Sequence, residues 1–226
     1  MRVDYAEARS LLRQGSRGAL GSHSVSVPGY PFVTALPYVP DGESRPLFVL
    51  SGLAEHTRNL IADPRASLLV TGGGGGLFDE ARLTLLGMVR PVVMDEASLA
   101  RFLRYSPESA EYLSLGDFRF FRMEPARVRF IGGFGHMGWS EATCPSLVLD
   151  PAEEEALVDR LAHRVPVGTR LLGVDFEGID MRISGVFRRF ALNPKECSVD
   201  AIYEAAAETL SGAGDDQPQT GDSAWA

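Results

Sequence analysis

From Arg17 to Trp139 turn residues break the chain into short β-prone runs, too closely spaced for long helices or a parallel sheet. RGALGSHSVSV, PFVTALPYV and RPLFVLSG are separated by Pro28-Gly29 and by Asp41-Gly42. The second separator, PDGES, predicts a hairpin turn, because aspartate and glycine tolerate the backbone angles of a tight reversal. ASLLVT and RLTLLGMVRPVVM follow, with the glycines Gly72 to Gly76 between them predicting a mobile loop. Gly87 interrupts the longer run and predicts a bulge or bend. FRFFRMEPARVRFIGGFG predicts two further strands hinged at Glu124-Pro125. Short strands with turns this frequent favour a closed, mostly β barrel.

Helical signals flank the runs. Tyr5 to Gln14 places Ala8, Leu11 and Leu12 on one side, and Leu53, Thr57 and Leu60 recur at helical spacing before the Asp63-Pro64 stop. Asp95 is placed to cap EASLARFLRYS. Asp150-Pro151-Ala152-Glu153 combines an aspartate cap, a first-turn proline and a glutamate three residues on, predicting a helix to about His163. TRLLGVDFEGIDMRISGVFRRFAL then reads as strands, and Ser198 caps VDAIYEAAAETL. The expected organisation is a barrel domain over residues 1–142, an α+β module over 143–210, and a polar tail over 211–226, expected to be disordered.

Composition narrows the function classes. No apolar run approaches the roughly 20 residues of a spanning helix. The charged N-terminus lacks the apolar stretch of a signal peptide, and only Cys144 and Cys197 are present, so a reducing cytoplasm is expected. Lysine plus arginine number 22 against 30 for aspartate plus glutamate, a net charge of −8. That argues against nucleic-acid and membrane partners, while a local pocket for an anionic small molecule remains open.

GFGHMG, Gly133 to Gly138, matches the dinucleotide fingerprint in letters, but WSEATCPSLV follows it and supplies no helix to hold a pyrophosphate. The five glycines lack the Lys-Ser/Thr of a P-loop, and G-x-S-x-G is absent. His23, His56, His136 and His163 lie too far apart for a zinc motif, and Cys144 beside Pro145 reads as a structural cysteine.

Two segments concentrate chemistry. In SGLAEHTRNLIADPRASLLV, Ser51, His56, Thr57, Arg58 and Asn59 cluster at a helix start, where free amides and the dipole favour an anion, or where these groups simply cap and solvate the helix. In GDFRFFRMEPARVRFIGGFGHMGW, Arg127 and Arg129 share one strand face, with Val128 and Phe130 on the other. That face is either solvated or turned to a ligand. Gly132, Gly133 and Gly135 permit close approach of the backbone to a ligand or another strand.

These segments, with A-R-L-T-L-L-G, G-D-F and V-R-F-I-G-G-F-G-H in order between them, resemble the bacterial haem-utilisation family of the pyridoxamine-5′-phosphate-oxidase-like, FMN-binding split-barrel superfamily. The likeness runs from about Arg17 to Trp139, and G-V-D-F-E-G-I-D-M-R resembles the α+β module that follows the barrel in such proteins. The resemblance implies a six-stranded split barrel, a homodimer, and a cofactor, haem or FMN, in the cleft between subunits. Flavin-binding relatives hold the FMN phosphate with the segment matching His56 to Asn59 and the strand matching Arg82 to Thr84. Haem-degrading relatives use a late histidine and an aspartate matched here to Asp117, and open the porphyrin with release of iron. The chain departs from them where EEEALVDRLAHRVPVG keeps only His163 of the family's histidine-bearing helix, and where His136 replaces a common lysine or arginine.

The functions expected are therefore a haem-degrading oxidoreductase with an unnamed electron donor, an FMN-dependent oxidoreductase, or a cofactor-binding or storage protein. Arg82, Arg127 or Arg129 is expected to neutralise the cofactor's anionic group, and His136, with His163 as its rival, to be the iron ligand.

Overall fold

The computed structural model describes residues 5–72, 80–133, 136–142 and 147–212. Most of the five-glycine run, Gly135, Cys144, Pro145 and nearly all of the tail lie outside the described residues. The chain forms two compact units, Met1–Pro151 and Ala152–Ala226.

The first unit is an antiparallel sheet in the spatial order β2-β1-β5-β6-β7-β4-β3, with β8 paired to β7. Its strands are β1 (Arg17–His23), β2 (Pro31–Pro37), β3 (Val39–Pro40), β4 (Pro46–Ser51), β5 (Arg65–Thr71), β6 (Arg82–Pro91), β7 (Phe118–Ile131) and β8 (Met137–Glu141). β2 and β3 stand at opposite ends of this order, yet Tyr38 alone separates them in sequence. One residue spans under 4 Å, so the sheet curls until its edges meet, the split barrel that the strand pattern predicts. Tyr38 is buried inside the seam and its hydroxyl donates to the Leu12 carbonyl at 2.8 Å. Burial pushes its phenol pKa well above the ordinary value.

Helix α1 (Tyr5–Gln14) turns Tyr5, Ala8, Leu11 and Leu12 into the core that Leu20, Phe48, Leu68, Leu85 and Phe121 fill from the strands. Helix α2 (Glu55–Ala62) links β4 to β5. Helix α3 (Glu96–Tyr105) has the predicted cap, Ser98 N–H donating to Asp95 Oδ1 at 2.7 Å. It covers one part of the sheet's outer face, where Phe102 meets Phe120 edge-on at 5.0 Å, beside Leu47 and Val49. Helix α4 (Ser109–Ser114) is six residues long, too short for the sequence to mark it by periodicity.

Two expectations are corrected. The run around Glu124-Pro125 is one strand, β7, and not two. Its irregularity is a bulge: Leu86 pairs with Arg127 and Gly87 with Pro125, so Ala126 has no partner on β6. Pro125 is tolerated because β7 changes neighbours there, from β4 at Phe118–Arg122 to β8 at Arg127–Ile131. In the PDGES turn the left-handed residue is Ser44, φ 64°, rather than Asp41 or Gly42. Asp41 acts through its carboxylate, accepting the N–H groups of Glu43 and Arg45.

The second unit holds a three-stranded antiparallel sheet, β9 (Thr169–Val174), β10 (Gly178–Ile183) and β11 (Val186–Ala191), in the order β11-β10-β9. Helix α5 (Pro151–Leu161) leads into it through a 3-10 turn (Ala162–Arg164), and α6 (Val199–Gly212) follows, capped by Ser198 and reaching past Ser211. Arg189, buried, donates to Asp180 and Asp175 at 2.8 Å each, and each carboxylate offsets the cost of burying its charge. No described helix is long and apolar enough to cross a membrane.

A side chain at Gly87 has no room, since a Cβ there would stand 2.2 Å from the Glu124 carbonyl oxygen. Gly87→Ala is expected to lower stability by about 1–3 kcal/mol, read as a reduced urea midpoint. An unchanged midpoint would show that the bulge can relax.

Candidate functional site

Among the described residues of the first unit, α3 covers only the β3, β4 and early β7 part of the outer face, and the part built by β2, β1, β5, β6, late β7 and β8 carries no helix. Side chains alternate across a sheet, so residues with buried neighbours define its outward rows. One row runs Trp139, Arg129, Thr84, Leu69, Ala19 and Ala35 from β8 to β2. The next runs Glu141, Arg127, Leu86, Ser67, Gly21 and Val33. Arg82 stands one step further out, opposite Ile131 and Thr71.

The bulge puts both arginines on this face. Phe121 and Met123 point into the core before Ala126 and Val128 and Phe130 after it, so Arg127 and Arg129 turn outward. The Trp139 ring carries both, with the Arg127 guanidinium 5.1 Å and that of Arg129 5.9 Å from its centre. Arg127 is also 3.4 Å from Glu141.

Along the same face the floor sinks into an open depression of about 520 Å³, because Gly21, Ala66, Ser67, Gly87 and Ala126 present little or no side chain. A Cβ at Gly21 would stand 2.7 Å from Ser67 Oγ. Val33, Leu86 and Met88 supply apolar walls, and His23, Arg65 and Arg127 supply polar ones.

The other expected residues form a separate group. Ser51 Oγ donates to Asp117 Oδ2 at 2.6 Å and accepts from Leu53 N–H, and Gly52 N–H donates to the Asp117 carbonyl. Asp117 thus fastens the strand end from which α2 departs. Asn59 is buried, accepts from Val25 N–H at 2.9 Å and donates to Ser22 Oγ at 3.2 Å, which ties α2 to the β1–β2 turn. Thr57 is buried with its hydroxyl unpaired among the described residues, Arg58 is exposed, and the N-cap residue Ala54 offers no side-chain bond to the helix amides. His56 is half-buried, and burial lowers its pKa.

The structure therefore brings together Ser51, Asp117 and the α2 residues at one place, and Arg82, Thr84, Arg127 and Arg129 at another. Asp117 and Arg129 are a strand's length apart on β7 and its approach. His136 belongs to neither group as an open donor: its Nε2 lies 2.7 Å from Glu7 Oε2 of α1, and its ring meets Phe130 edge-on. His163 lies in the 3-10 turn of the second unit. Sequence reasoning passed over Arg65, Met88 and Trp139, and singled out His23 only as one histidine among four. The period-two relation of His23 to Gly21 was the available signal, but the depression exists only once β5 and β6 lie alongside.

Among the described residues, no three His, Cys, Asp or Glu side chains are grouped to hold a bare metal ion. The family profile for the CREG β-barrel matches residues 3–143. The chain is 32% identical over 128 residues to the chloroplastic non-canonical heme oxygenase HOZ of Arabidopsis thaliana, covering 56% of this chain and 40% of that protein's length. Among solved structures, an Agrobacterium tumefaciens protein of unknown function matches 90% of this chain and 93% of its own at 26% identity, TM-score 0.71. A heme-binding protein from Mycobacterium smegmatis matches 96% and 100% at 24% identity, TM-score 0.58, a likeness of fold.

Burial disfavours the charged form of His56 in the folded state only, so the unfolded chain takes up that proton first as pH falls through about 6.5. His56→Gln is expected to match the parent's stability above that pH and exceed it increasingly below, in urea titrations at several pH values. Parallel curves would remove His56 from the acid response.

Proposed function

The chain belongs to the CREG β-barrel family, and from that premise we propose that it binds haem on the bare outer face of the barrel and acts in haem degradation. The observation that carries this reading is the depression, with apolar walls, a floor of small residues and guanidinium groups at its edge. A porphyrin is a flat apolar plate with two carboxylates. Val33, Leu86 and Met88 suit the plate, and Arg65 and Arg127, with Arg129 and Arg82 further along, suit the carboxylates. The Arabidopsis relative's activity supports the choice. The group fits the residues present, though His136, expected as the iron ligand, is joined to Glu7 and does not line the depression.

Bound haem would supply an iron centre at which dioxygen reacts. This chain's part is to hold the plate edge through its arginines and to exclude water with its apolar walls. Trp139 keeps Arg127 and Arg129 lying along the sheet, which positions them for an anion in the plane of that face.

A second reading, FMN, draws on the uncapped α2 terminus and the unpaired Thr57 hydroxyl beside Arg58, a setting suited to a phosphate. Absorption titrations of the full chain with hemin and with FMN separate the two. The expected result is a shifted Soret band with hemin, and at least about tenfold weaker binding in Arg127→Ala; flavin uptake with no Soret shift would favour the alternative.

We also propose that the same face pairs with a second copy. Val33 (62% exposed), Leu69 (39%), Leu86 (37%), Met137 (41%) and Trp139 (45%) lie together on it, an apolar area of the kind that marks an interface. Light scattering is expected to give twice the 24.5 kDa chain mass, and Leu86→Asp to give the monomer. A parent that runs as a monomer at micromolar concentration would end this proposal.

A further inference from the structure

We infer that His23 is the protein ligand to the haem iron, a conclusion that rests on the haem reading above. Haem brings four ring nitrogens of its own, so one imidazole completes a five-coordinate site and no clustered ligand set is required. The question is which of the chain's four histidines stands over the proposed bed with a nitrogen to give.

His23 ends β1 two positions after Gly21, on the same outward side, and it lines the depression with Met88, Arg65 and Arg127. It is exposed, and its ring makes no hydrogen bond among the described residues. The register explains the placement. Ser22 pairs with Ala66, which brings His23 level with Arg65, and Arg65 pairs with Met88. An imidazole, a guanidinium and a thioether therefore occupy one outward row beside the small-residue floor.

Arg65 is itself held, donating to both oxygens of Asp63, two positions before it on the chain, at 2.9 and 3.1 Å. His23 is the histidine that lines the depression, whereas His136 is joined to Glu7 and His56 is half-buried in α2. Met88 is the competing donor in the depression, as a thioether also binds haem iron.

The test is hemin titration of the full-length parent, His23→Gly, His23→Gln, Met88→Leu and His136→Ala, followed by absorption and by electron paramagnetic resonance of the ferric state. The parent is expected to show an imidazole-ligated spectrum that Met88→Leu and His136→Ala keep. Both His23 variants should lose it, with hemin affinity falling by at least the roughly tenfold that loss of an outer-shell partner already causes. Free imidazole should restore the Soret position in His23→Gly, which a merely structural role would not produce. A parent-like spectrum in the His23 variants, or loss of the signature in His136→Ala or Met88→Leu instead, overturns the assignment while leaving haem binding intact. A parent that takes up no hemin overturns both.

Discussion

The architecture depends on the passage through Tyr38. One buried residue joins the strands at the two ends of the sheet, and everything else follows from the closure it forces. The curl creates an inside, which α1 and the inward strand residues fill, and an outside, which they leave alone. The seam is fixed by more than chain connectivity. Tyr38 N–H donates to the Ser16 carbonyl and its hydroxyl to that of Leu12, while Gly15 leaves the ring its space, since a Cβ there would stand 2.4 Å from the hydroxyl oxygen. Arg13 extends the tie, donating to Ser44 Oγ and the Gly42 carbonyl in the turn after β3.

Closure also divides labour on the outer surface. Where α3 lies, Phe102, Leu47 and Phe120 make a second small core. Where no helix lies, the same sheet shows apolar and cationic side chains together, and the floor between them is kept low by residues with little or no side chain. The two halves use the same alternating backbone, and the presence or absence of α3 separates a packing surface from the one proposed to bind haem.

Much of this was readable in the sequence because it rests on local chemistry. The Asp95 and Ser198 caps, the Gly87 irregularity and the common outward face of Arg127 and Arg129 each follow from a few neighbouring residues. What escaped depends on partners distant in sequence. Asn59 sits at a helix start like a ligand-binding residue, but Ser22 and Val25 engage its amide. Asp117 meets Ser51 across 66 positions, and His136 meets Glu7 across 129. The depression around His23 likewise needs β1, β5, β6 and β7 side by side, a register that no single segment encodes.

Ala126, without a partner on β6, gives this barrel an uneven tolerance to mutation. Many positions along β7 can exchange one side chain for another of similar size, since the ladder on either side is kept. A change of length is different. Removing one residue elsewhere along β7 would turn the side chains on one side of the gap to the opposite face, whereas removing Ala126 would leave Leu86 opposite Arg127, Gly87 opposite Pro125 and both arginines outward. Divergence among barrels of this kind should therefore proceed by substitution along the strand, with changes of length confined to the turns and the bulge. The extra residue is the one place along β7 where the strand can shorten and keep both of its faces.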